Sequence, residues 1–154
     1  MAGTPLITFF YLKAPAQGQI SAVLYRAQMA SSITNTLMML VGGQGGDVIG
    51  FYQYGGSFTT LYMANVNIEG DNSGYTYGIR SAGWGHTLDH AIVEAHAVGM
   101  EFTSANGGSS RSIRINNSYL EGNQVDIRLR GVQNGIQHTG SVIQGGFFGG
   151  SNVG

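Results

Sequence analysis

The chain has no cysteine, so it holds neither a disulfide framework nor a thiolate metal site, and its redox compartment stays open. It has two prolines against 26 glycines, which excludes a proline-rich linker and a collagen repeat and leaves the glycines to serve turns. Charge is scarce: seven basic and eight acidic side chains in 154 residues, with a formal net charge of −1. Neither the basic footprint of a nucleic-acid binder nor the patterning of a disordered chain is present. No apolar run reaches the roughly 20 residues of a membrane-spanning helix, so no membrane insertion is expected. The apolar stretch Pro5 to Leu12 has no basic region before it and Lys13 after it, and is not read as a signal peptide. Helical periodicity is also missing. Residues 21–41 come closest, but their Ser, Thr and β-branched content argues against a long helix.

What is present is self-similarity. Asn67-Ile68-Glu69-Gly70, Ile92-Val93-Glu94-Ala95, Tyr119-Leu120-Glu121-Gly122 and Val142-Ile143-Gln144-Gly145 align as an apolar residue, an acid or amide, then a tiny residue, at steps of 25, 27 and 23. A second ladder interleaves with them: Gly50-Phe51-Tyr52, Gly78-Ile79-Arg80, Gly99-Met100-Glu101 and Asp126-Ile127-Arg128. A weaker third set contains Leu88, Ile113 with Ile115, and Ile136. Short alternating segments separated by Gly, Asn and Ser are strands, and a repeat of 20–50 residues is a solenoid, in which each coil buries its apolar face against the next.

The expected fold is therefore all-β: a right-handed parallel β-helix of about six coils of about 25 residues, three short strands to each, forming one domain over residues 1–154. Residues 61–154 are the regular coils. Residues 1–60 are less regular and read either as earlier coils or as a β-rich cap. On the first reading, Leu40 falls in the column of Ile68, and Leu24 in that of Phe51.

Stacking turns the ladders into columns about 4.8 Å apart per step. Ile68, Val93, Leu120 and Ile143 form one inward column, and Phe51, Ile79, Met100 and Ile127 another. The residues that follow point outward, since strand side chains alternate. One outward column is Tyr52, Arg80, Glu101, Arg128, where opposite charges on neighbouring strands attract. The other is Glu69, Glu94, Glu121, Gln144, where like charges repel unless water, cations, basic neighbours or protons intervene.

Stacked carboxylates about 5 or about 10 Å apart could supply the acid/base pair of a glycosidase, and Glu69, Glu94, Glu121 and the nearby Asp89 are the catalytic candidates. The competing readings are a solvated polar ladder and a calcium site built from the same oxygens. The richest loop, Ser81 to His90, holds Trp84 between glycines, with His86, Asp89 and His90. Trp84, extended by Tyr75 and Tyr77 and flanked by His86 and Arg80, is the candidate sugar-binding platform; covering the core or a partner subunit is the alternative role for Trp84. His86 and His90 lie at i, i+4, but the context is not helical, so neither a zinc site nor any cofactor is expected. His96 and His138 read as surface histidines. Gly42-Gly43-Gln44-Gly45-Gly46 lacks the Lys-Ser/Thr ending of a phosphate loop and reads as a turn.

From about residue 61 to 150 the chain resembles the right-handed parallel β-helix of phage tailspikes and pectate-lyase-like proteins. The resemblance rests on Asn67-Ile68-Glu69-Gly70, Tyr77-Gly78-Ile79-Arg80, Asn117-Ser118-Tyr119-Leu120-Glu121-Gly122 and Val125-Asp126-Ile127-Arg128. It is one of architecture; the calcium and arginine signature of pectate lyases is not evident, and no catalytic signature carries over. It implies an elongated homotrimer on a virion tail or otherwise outside the cell, which binds bacterial surface glycan and, in the enzymes, cleaves it as a glycoside hydrolase or polysaccharide lyase. A non-catalytic structural or adhesive shaft is the second expectation, and a free-standing polysaccharide lyase or hydrolase the third.

Overall fold

A computed structural model describes residues 8–25, 31–53, 61–82, 85–103, 112–130 and 142–149. Among them there is no helix. The strands are β1 (Thr8–Lys13), β2 (Gly18–Tyr25), β3 (Ser31–Val41), β4 (Gly46–Gln53), β5 (Leu61–Glu69), β6 (Thr76–Ser81), β7 (Thr87–Asp89), β8 (Ile92–Glu94), β9 (Val98–Thr103), β10 (Arg114–Glu121), β11 (Val125–Arg130) and β12 (Val142–Gly149). Every strand pairing is parallel. The chain alternates between two sheets, so each sheet serves as the crossover for the other. Sheet A runs β1-β3-β5-β7-β10-β12, with β8 beside β5 and β10, and sheet B runs β11-β9-β6-β4-β2. This is a parallel β-solenoid of the right-handed β-helix class.

The stack has about four turns, not six: from β2 to β11 the chain passes round four times. The three expected strands per coil are also distributed differently. Leu88 pairs with Met63 and Ile115, and Val93 with Ile68 and Leu120, all within sheet A. The weak third set and the first ladder are thus two stretches of the same rungs; Ile136 lies outside the described residues.

What separates the two stretches is a column of left-handed residues. Asn35, Asn65, His90, Asn117 and Gly145 have φ of 51°, 53°, 52°, 46° and 64°, and the flanking registers place them opposite one another on successive rungs. Asn tolerates this conformation better than other side-chain-bearing residues, which explains its recurrence here. The kink interrupts pairing, so in the fourth rung it divides β7 from β8. Ser118, just after the kink, accepts a hydrogen bond from Ala91 N (3.2 Å) and donates one to Asn116 O (2.9 Å), supplying partners the ladder loses. A second left-handed position closes the rungs, Ala95 at 64° and Gly122 at 65°. The tiny residues after Glu94 and Glu121 sit where the chain turns, and Gly70 after Glu69 sits where a Cβ would lie 2.3 Å from Ala95 O.

The core lies between the sheets. Met38, Ile68, Val93 and Leu120 stack from sheet A, and face Phe51, Ile79 and Met100 from sheet B. Gly50, Gly78 and Gly99 lie within β4, β6 and β9 where the sheets approach: a Cβ on Gly78 would lie 2.4 Å from Val93 Cγ1. Asn123, fully buried, stitches the corner between the sheets. It accepts from His96 N (3.0 Å) and donates to Val93 O and Asp126 Oδ1 (both 3.0 Å).

Three registers correct the sequence reading. Met38, not Leu40, pairs with Ile68, a two-residue slip that keeps the same face inward. Val23, not Leu24, pairs with Phe51. Ile143 pairs with Ile115 rather than Leu120, and Phe148 takes the position above Leu120. Gln144 therefore stacks on Asn116, and Gly149 lies next to Glu121. The Gly42–Gly46 segment is a turn, closed by Gly46 N to Gly43 O at 3.3 Å.

Candidate functional site

Sheet A brings the three glutamates together. Glu69 pairs with Glu94, and Glu94 with Glu121, on consecutive rungs. At strand spacing their Cα atoms are about 4.8 Å apart. The column is half-buried. Partial burial, then the charges of Glu69 and Glu121, push the Glu94 carboxyl above its ordinary pKa. Tyr119 donates its hydroxyl hydrogen to Glu121 Oε2, and this bond holds the phenol above its usual range. Glu94 thus has a glutamate on each side, which favours its protonated form.

Beside this column runs an apolar one. Two positions before the glutamates, the outward residues are Phe9, Leu37, Asn67, Ile92, Tyr119 and Phe147 on successive rungs. Ile92 and Phe147 are exposed, and the Tyr119 and Phe147 rings stack with centroids 5.1 Å apart. Here the kink opens a groove of about 450 Å³, lined by Asn67, His90, Ile92, Glu94, Asn117 and Tyr119. It combines an apolar wall, a carboxyl and amide groups. Asn67 Oδ1 is buried and has no hydrogen-bond partner among the described residues.

Asp89 lies on the other side of the kink, above Ala64 and below Asn116. It pairs with His90 Nδ1 (3.0 Å) and accepts weakly from Tyr62 OH (3.5 Å). The remaining sequence candidates are elsewhere. Tyr77 and Arg80 are on sheet B, where Arg80 stacks 4.0 Å over the Tyr77 ring. Tyr75 is exposed just before β6. His86 is 3 % exposed, with Nε2 2.7 Å from Ser81 Oγ, which in turn donates to Gln53 Oε1 at 2.7 Å. This polar chain borders a cavity of about 10 Å³ walled by Phe51, Leu61, Met63 and Phe102, room for about one water. Trp84 lies outside the described residues, as does His138.

Two expectations about exposure are corrected. His96 is fully buried, not on the surface; its Nε2 donates to Ile68 O at 3.1 Å. Glu101 occupies its outward column but is 2 % exposed, because Arg80 Nε (2.6 Å), Arg128 Nη1 (3.5 Å) and Arg130 Nη1 (3.7 Å) converge on it. Among the described residues no group of three or more His, Asp and Glu could hold a metal ion.

Sequence reasoning missed the groove, although three of its walls sit inside the repeat: Asn67, Ile92 and Tyr119 each open a ladder segment. Their outward direction was legible from alternation with Ile68, Val93 and Leu120. The concavity was not, because it comes from the left-handed column. No protein-family model, curated protein or solved structure matches this chain.

Proposed function

We propose that this chain binds bacterial surface polysaccharide along the outer groove of sheet A, as part of an extracellular phage tailspike or tail fibre. The observation behind the reading is the pairing of two columns at rung spacing: Ile92, Tyr119 and Phe147 beside Glu69, Glu94 and Glu121. Sugar rings present an apolar face and a rim of hydroxyls. An aromatic–aliphatic strip takes the first, and carboxylates and amides take the second. A rung repeat of about 4.8 Å gives an extended chain similar contacts on each step. Exposed Phe9 ends the apolar column at the first rung, exposed Tyr11 and Met39 extend the glutamate column there, and together they suit association into a homotrimer.

Cleavage is the stronger form of this proposal. Glu94, with its raised pKa, is the proton donor, and Glu69 or Glu121 on the neighbouring rung supplies the second carboxyl group. The test is a glycan array on capsular and lipopolysaccharide glycans, joined to an assay for new reducing or unsaturated ends. Binding that disappears in Tyr119→Ala and Ile92→Asp supports the groove. Absence of binding to every bacterial surface glycan overturns it.

A second reading, a shaft without catalysis, is favoured by the same exposed apolar strip. It predicts a trimer by light scattering and no products from any glycan. Glu69→Gln, Glu94→Gln and Glu121→Gln variants would then be at least as stable as the parent.

A further inference from the structure

The outer face of sheet B gathers three of the seven basic residues of the chain around one carboxylate. Glu101 is 2 % exposed, and a carboxylate so enclosed needs a close cation. Arg80 is that cation. Its Nε donates to Oε2 at 2.6 Å, its Nη1 reaches Asp47 Oδ2 at 3.3 Å and Gln19 Oε1 at 3.5 Å, and its plane covers the Tyr77 ring. Arg80 is thereby used up.

Arg128 and Arg130 are not. Both approach the other oxygen, Oε1, at 3.5 and 3.7 Å, longer than the 2.7–2.9 Å of a strong charge-assisted bond. They share a single acceptor atom and repel one another. Each guanidinium has five N–H donors, and no other side-chain partner of either is found among the described residues. Their side chains are 39 % and 65 % exposed. Two positive forks thus converge on one point at the surface, positioned by a buried acid that neutralises only part of their charge.

We propose that Arg128 and Arg130 form a binding site for an oxyanion, the carboxylate or sulfate of an acidic glycan. A planar fork matches these groups bidentately, and an entering anion would supply the second acceptor that the pair lacks. The site is on the opposite sheet from the groove. Its oxyanion chemistry stands by itself; only the glycan as carrier rests on the function proposed above.

The experiment is retention of the whole chain on immobilised polygalacturonate and on dextran sulfate, with neutral dextran as control and free sulfate as competitor. Retention on the acidic matrices that falls with added salt, and that weakens about tenfold in Arg128→Gln/Arg130→Gln, supports the site. Arg128→Lys/Arg130→Lys keeps the charge and loses the fork; retention intermediate between parent and Gln variant supports fork recognition. A Gln variant that melts like the parent and is retained like the parent overturns the proposal. A rise in melting temperature with millimolar sulfate that is lost in Arg128→Gln/Arg130→Gln, without any matrix retention, identifies a free-anion site and overturns the glycan carrier. Tyr119→Ala separates the two readings, because it is expected to abolish groove binding and leave acidic retention unchanged.

Discussion

Glu94 and Glu121 are register partners on adjacent rungs of sheet A, and the phenol of Tyr119 is hydrogen-bonded to the second of them. A like-charged pair at strand spacing is unfavourable, and Glu69 on the other side of Glu94 makes it a triplet. The sign of the consequence follows from the raised Glu94 pKa. Its stabilising, protonated form is fully present below the unfolded value near 4.5 and is lost as pH rises through the higher folded value. Stability from this column therefore falls as pH rises above 4.5. Glu94→Gln is expected to remove that slope and to raise stability at pH 7 by less than about 1 kcal/mol, since the column is open to water. Denaturant melts of parent and variant between pH 4 and 7 measure it; equal slopes would falsify the coupling.

The closing residue of the same rung makes a backbone prediction. Ala95 holds φ at 64°, a conformation that costs a side-chain-bearing residue about 1–2 kcal/mol and glycine nothing. Glycine loses more entropy on folding, about 0.4–1 kcal/mol. Ala95→Gly should stabilise by a few tenths to about 1 kcal/mol, and Ala95→Val should destabilise by more than about 1 kcal/mol. The midpoint of denaturant unfolding decides both; a loss of stability on Ala95→Gly contradicts the left-handed corner.

Gly78 tests how closely the sheets meet. A methyl there would be 2.4 Å from Val93 Cγ1 and 2.6 Å from Gly99 O, the second of them backbone that cannot rotate away. Gly78→Ala is expected to cost about 1–3 kcal/mol, the range for an overpacked core. Gly78→Ala with Val93→Ala relieves only the side-chain clash and should recover part of it. Full tolerance of Gly78→Ala would mean that sheets A and B are farther apart at this corner.

How much of this was legible in the sequence depended on what punctuated each rung. Ile68, Val93 and Leu120 were aligned because each precedes a glutamate and a corner residue. Ile143 was misaligned because the two left-handed columns look alike as text. Asn116-Asn117 before the kink and Glu121-Gly122 at the corner are both a polar residue followed by a left-handed one, and Gln144-Gly145 fits either. The N-terminal rungs slipped because Met38 and Val23 have no charged or glycine marker beside them. Alternation gave the outward direction of Glu101, but its burial comes from three arginines converging on it, Arg80 and Arg128 from the neighbouring rungs and Arg130 from two residues beyond the paired position. The separation of Tyr77 and Arg80 from the glutamates arises from the alternation between sheets, which a period alone does not reveal.

The buried histidines give the broadest pH prediction. His86 and His96 are each held down to a pKa of about 4 by burial, against 6.5 when unfolded. For a base whose folded pKa is lowered, the neutral form is the stabilised one. Its contribution is complete above pH 6.5 and is lost as pH falls toward 4. Each is worth on the order of 3 kcal/mol over that window, and neither has an acid against it that would compensate. His86 faces Phe51, Leu61 and Phe102, and for His96 the hydrogen bond to the Ile68 carbonyl and the charge of Asp71 offset burial only in part. Nδ1 of both rings has no hydrogen-bond partner among the described residues, so a second proton gains no acceptor on arrival. The chain should therefore lose stability steeply from pH 6.5 to 4, opposite in direction to the Glu94 effect and several-fold larger. His86→Gln keeps a donor for Ser81 and cannot titrate. Chemical denaturation across this range should show about half the parent's slope in that variant, and an unchanged slope would mean that His86 is already protonated or exposed in the folded chain.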